Sequence, residues 1–186
     1  MIRLSLGAGF CAAALLTAAP APAQDLAAAE ALFREGRELL KSGKIAEACR
    51  KFEESQRLDP SSGTLLNLAN CHEREGKTAS AWAEFLEAAR LARRENEEGR
   101  RAEGKRRAKL LEGKLSHLSI TITEPVPGLV IHRDEVELSQ AALRSRIPID
   151  PGRHEIRASA PGYQEWSTEV VVGKESDAQT VTVPTL

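Results

Sequence analysis

Two periods of apolar residues divide the chain, and the change falls near Leu118. Before it, small and apolar residues recur at helical spacing. Residues 32–60 and 65–93 repeat at a fixed offset: Gly36 falls on Ala69, Gly43 on Gly76, Ala48 on Ala81, Phe52 on Phe85 and Ser55 on Ala88. Each unit reads as helix, glycine turn, helix, with small residues where two helices approach and Phe filling the space between them. The charged stretch 95–116 follows, and its apolar positions Ala108, Leu111, Leu115 and Leu118 keep the helical spacing. Gly99, Gly104 and Gly113 each weaken it by about 1 kcal/mol relative to Ala, which predicts a frayed or bent helix.

From Leu118 the period becomes two. Leu118, Ile120 and Ile122 alternate with Ser119, Thr121 and Thr123. Leu129–His132, Val136 with Leu138, and Ile147 with Ile149 make further short pieces. Between the pairs Pro151-Gly152 and Pro161-Gly162, His154, Ile156, Ala158 and Ala160 face one way, opposite Arg153, Glu155, Arg157 and Ser159. Val170 with Val172 and Val181 with Val183 complete the set. Six or seven short strands separated by turn signals predict an antiparallel sandwich. The expected architecture is therefore α+β as two domains. Two helical hairpins span 24–94, a charged capping or linker helix spans 95–116, and a β-sandwich spans 117–186.

The repeat resembles the tetratricopeptide repeat, on its small residue, Gly, Ala, aromatic and Ala spacing and on Leu58-Asp59-Pro60 closing the first unit. That resemblance implies a concave face built by the first helix of each unit. Phe33, Arg37 and Lys41 share that face at i,i+4 spacing, as do Leu66, Asn70 and Arg74. Together they suit a peptide or a carboxylate, or are ordinary solvated residues of a short array. The same stacking brings Cys49 and Cys71 onto neighbouring helices facing inward, as a disulfide or as two buried thiols. The second half resembles the PEGA domain, a non-catalytic β module, through Pro151-Gly152-x-His154 and Pro161-Gly162-Tyr163 over residues 126–172. Its first hairpin departs from that pattern, with Arg133-Asp134-Glu135 where the family has an Asp-Gly. Tyr163 and Trp166 read as core or edge anchors, with a carbohydrate platform as the alternative.

Charge and motifs narrow the function. The net charge of −1 excludes a polyelectrolyte partner for the chain as a whole, and the basic run Lys105-Arg106-Arg107 has no interleaved aromatics for stacking on nucleic acid. Gly99 to Arg106 nearly spells a phosphate-binding loop, but no strand precedes it and Arg106 replaces the hydroxyl. No nucleophile elbow or zinc-protease motif occurs, and Cys71-His72 lacks the further ligands of a structural zinc. No enzyme, cofactor or metal is expected.

The N-terminus has Arg3, an uncharged apolar run from Leu4 to Leu16, and Ala21-Pro22-Ala23. It reads as a signal peptide over 1–23, cleaved before Gln24, with retention as an anchor the alternative. Cys11 sits inside the apolar run after bulky Phe10, which argues against a lipoprotein site. The expectation is a periplasmic or secreted protein with no integral membrane span after signal removal. It binds a protein or peptide partner; the alternative is a glycan- or peptidoglycan-binding envelope protein that uses the sandwich.

Overall fold

A computed structural model describes residues 22–186; the apolar run and Cys11 of the expected leader lie outside them. The helical half is α1 (Pro22–Lys41), α2 (Ile45–Leu58), α3 (Ser62–Glu75), α4 (Thr78–Arg94) and α5 (Glu98–Leu111). Consecutive helices pack on one another. Gly43 and Gly76, at equivalent places in the two repeats, take left-handed φ of 78° and 81° and turn the chain between paired helices. Ser61 starts α3 by accepting a hydrogen bond from the Thr64 amide at 3.1 Å.

The repeated residues form the core. Ala48, Phe52, Ala69, Ala81, Phe85 and Ala88 are all buried. A Cβ on Gly36 would stand 2.9 Å from the Phe52 ring, so glycine there lets α1 settle onto α2. In the second unit Ala69 and Phe85 share a cluster with Ala108 and Leu111 of α5, so the charged helix covers the apolar face that two repeats leave open. Cys49 on α2 and Cys71 on α3 are joined by a disulfide, with Cα atoms 5.5 Å apart.

Helix α5 departs from the expectation of a frayed or bent helix. Helix α5 is unbroken across Gly104, and only Gly113 falls in a terminal 3-10 turn, Glu112–Lys114. Gly104 is buried, and a Cβ there would lie 2.6 Å from the Phe85 carbonyl oxygen and 3.1 Å from Ala89. The glycine admits close packing of α5 on α4 rather than loosening the helix. Arg107 lays its guanidinium 4.8 Å from the Phe85 ring centroid and pairs with Glu73. On the outer face Arg101 pairs with Glu98, three residues before it, at 2.9 Å.

The second half holds β1 (Ser116–Ile122), β2 (Val130–Arg133), β3 (Val136–Glu137), a short α6 (Gln140–Leu143), β4 (Ile147–Ile149), β5 (Gly152–Ser159), β6 (Trp166–Val172) and β7 (Ala178–Val183). A three-stranded sheet ordered β4-β1-β7 faces a four-stranded sheet ordered β3-β2-β5-β6. Leu118, Ile131, Ile149, Ile156, Val172 and Val183 fill the space between them. The sandwich is not wholly antiparallel, because β1 and β7 run parallel, Leu118 opposite Gln179 through Ile122 opposite Val183. The whole four-stranded sheet lies between these strands in sequence, and a crossing connection of that length permits parallel pairing.

The hairpin from β2 to β3 turns at Asp134-Glu135 without a glycine. Asp134 takes the left-handed backbone, φ 52°, that a glycine would supply. Its amide donates to the Glu155 carbonyl at 2.8 Å, and its carboxylate accepts from the Glu155 amide at 3.0 Å. His154 Nδ1 approaches the same carboxylate at 2.8 Å. Burial pushes the Asp134 carboxyl up, but the His154 hydrogen bond and the Glu155 amide hold it below its ordinary value.

Candidate partner-binding groove

Helices α1 and α3 together border a shallow groove of about 240 Å³, lined by Arg37, Leu40, Lys41, Asn67 and Arg74. Three of the six residues expected on the concave face therefore meet there. Arg37 and Lys41 follow one turn apart on α1, and Arg74 ends α3 where the Gly76 turn exposes it. Lys41 is engaged with Glu38 at 2.7 Å, and that hydrogen bond holds the Glu38 carboxyl below its ordinary value. Arg37 and Arg74 have no carboxylate partner among the described residues, so the groove carries free guanidinium charge.

The other three residues have structural roles. Phe33 is half-buried with its ring centroid 5.8 Å from that of Phe52, and its outer face carries the Arg37 guanidinium at 5.9 Å. Leu66 packs against the core clusters of both repeats. Asn70 turns toward α5 and accepts a hydrogen bond from Arg107 at 3.4 Å. Leu40 and Asn67 take their places in the groove. The i,i+4 rule alone passes over them, although Leu40 lies three residues from Arg37 and Asn67 seven from Arg74, both helical neighbours.

Beneath the repeats, buried His72 sits between two carboxylates. Its Nδ1 is 2.9 Å from Glu84 and its Nε2 3.2 Å from Glu53. Burial alone would lower its pKa, but the hydrogen bond and charge of Glu84, aided by Glu53, raise it above the ordinary 6.5. Ligand atoms of Cys49, His72 and Glu75 lie within 4.8 Å of one another. With the Cys49 sulfur already in the disulfide, however, no thiolate is left to hold a metal, and the set does not fit a metal centre.

On the sandwich, Trp166 is half-buried and packs against the core, while Tyr163 is 44% exposed. Trp166 borders a hollow of about 270 Å³ with Thr168, Glu169, Val170, Thr180, Val181 and Thr182; Tyr163 does not line it.

The two halves are joined at fixed points. The Asp150 carboxylate accepts from the Ala79 and Ser80 amides at 2.7 and 2.9 Å and from the Ser80 hydroxyl, closing the N-terminus of α4 from the β half. Ser176, in the turn between β6 and β7, donates its hydroxyl to the Gly113 carbonyl at 2.8 Å and its amide to Lys114 at 3.1 Å.

No described helix is long and apolar enough to cross a membrane. No curated protein matches the chain. The family model of the tetratricopeptide repeat matches residues 29–62, which hold most of α1 and all of α2. The matched segment is similar to a repeat that typically serves in protein–protein interaction rather than catalysis.

Proposed function

We propose that this is a non-catalytic, exported interaction protein whose helical half holds an acidic segment of a protein partner. The observation that carries the reading is the convergence of Arg37, Lys41 and Arg74, from two helices, on one groove. Guanidinium forks match carboxylates in geometry as well as charge. A shallow groove on two repeats gives weak binding, so the assembled partner is held by avidity or by further contacts.

Binding of a labelled tetraglutamate peptide to the full chain, followed by fluorescence anisotropy, tests this. The double variant Arg37→Glu/Arg74→Glu is expected to lose about tenfold in affinity, the sum of two exposed charge contacts. Equal binding by the variant, or by a tetraglutamine peptide, contradicts the proposal.

The β half, PEGA-like in its Pro-Gly hairpin, contacts envelope components or a second protein in this account. Export rests on the apolar run from Leu4 to Leu16 and the Ala21-Pro22-Ala23 junction. N-terminal sequencing of protein recovered from fractionated cells should read Gln24 first; an intact Met1 in a soluble cytosolic fraction would sink the export reading. A second reading, glycan or peptidoglycan contact through the sandwich, is favoured by the hollow beside Trp166. It predicts retention on purified peptidoglycan that is lost on Trp166→Ala or Thr168→Ala.

A further inference from the structure

A hollow of about 770 Å³ lies between the halves. Its helical wall is the α3–α4 turn with the end of α5, including Glu73, Arg74, Glu75, Lys77 and Lys114. Its β wall is the start of β5 and the β6–β7 turn, including Gly152, Gly173, Lys174 and Glu175.

The charges in this cleft do not cancel for an incoming ligand. Each acidic residue is already occupied: Glu73 by Arg107, Glu75 by Lys77 at 2.7 Å, and Glu175 by Lys114 at 3.6 Å. Arg74 and Lys174 are exposed and have no carboxylate partner among the described residues. The free charge of the cleft is therefore positive and faces inward from both walls.

Arg74 also lines the groove on α1 and α3. One side chain thus forms the junction between groove and cleft, and a single ligand leaving the groove past Arg74 enters the cleft. The cleft is held open to a fixed shape at both ends. Asp150, beside the cleft residue Pro151, is hydrogen-bonded to the start of α4. Ser176, beside Glu175, is hydrogen-bonded to Gly113 and Lys114. A site fixed in this way loses little ordering entropy on binding.

We infer that the β half is the far wall of the partner site: an extended acidic segment runs from Arg37 and Lys41, past Arg74, into the cleft against Lys174. This rests on the acidic-peptide reading of the groove and extends it. It assigns the sandwich a direct part in binding the same partner rather than a separate one.

Two probes separate the two claims. One is the tetraglutamate peptide; the other is a peptide of about twelve residues alternating Glu and Ser, which extends to roughly 40 Å. The long peptide should bind the full chain about tenfold more tightly than the short one, as a second engaged segment implies. Lys174→Glu should remove most of that gain while leaving the short peptide unaffected. Lys105→Glu, which changes the same charge on the exposed face of α5, should leave both unaffected.

If the short peptide binds through Arg37 and Arg74 but the long one gains nothing, or its gain survives Lys174→Glu, the cleft claim falls and the groove stands. An equal loss of the gain with Lys105→Glu reduces it to overall charge and also overturns it. If neither peptide binds, both claims fall together. Long-peptide binding sensitive to Lys174 but not to Arg37 contradicts the continuous track.

Discussion

At the scale of single residues, two glycines of α5 make opposite predictions from the same local chemistry. Gly99 has open space where a Cβ would stand, so Gly99→Ala should stabilise the protein by up to about 1 kcal/mol through helix propensity. Gly104 would place a Cβ 2.6 Å from the Phe85 carbonyl, so Gly104→Ala should destabilise it by roughly 1–3 kcal/mol despite the better propensity. Urea unfolding of the two variants checks the contrast. The sequence marks both residues only as weak points of a helix. The distinction depends on how near α4 lies, which spacing along α5 does not encode. Asp134 is a similar case, since its left-handed turn is legible only once β5 supplies Glu155 and His154. His72 adds a pH dependence. Its pKa is raised in the fold, so its contribution to stability is complete below 6.5 and is lost as pH rises through the folded value. The urea midpoint of the wild-type protein should fall over that interval, and the His72→Gln midpoint should stay flatter.

At the scale of elements, the helical repeats were legible because each repeated position has one packing job. Phe52 and Phe85 fill the helix pairs, and Gly36, Ala48, Ala69 and Ala81 let the backbones approach. The strands were legible from alternation, but the parallel pairing of β7 with β1 was not. Side-chain alternation states which face is buried and is silent on strand direction. The disulfide closes a separation of 22 residues between α2 and α3, and its reduction should cost about 3 kcal/mol. Comparing denaturation with and without a thiol reductant measures that cost. Helix α4 depends on the other domain for its N-terminal cap, a role that no local reading of Lys77-Thr78 reveals. Asp150→Ala should lower stability by about 1–2 kcal/mol, and hydrogen exchange should show the first turn of α4 opening before the rest of the helix.

At the scale of the whole molecule, α5 and Asp150 turn two units into one surface. The charged helix covers the second repeat, and the Asp150 and Ser176 contacts set the sandwich beside the end of the groove. Three of the five residues lining the candidate groove were legible in the sequence. Arg37, Lys41 and Arg74 could be placed by helical spacing, whereas Phe33 and Leu66 were claimed by the core and Asn70 by Arg107. Helical spacing identifies a face, and only the packed neighbours decide which residues on it stay free. The most direct test of the central claim is the map of backbone amide shifts in the full chain on titration with tetraglutamate. The account predicts changes centred on residues 37–41 and 67–74. Changes centred on Tyr163 and Trp166, or none at saturating peptide, would contradict it.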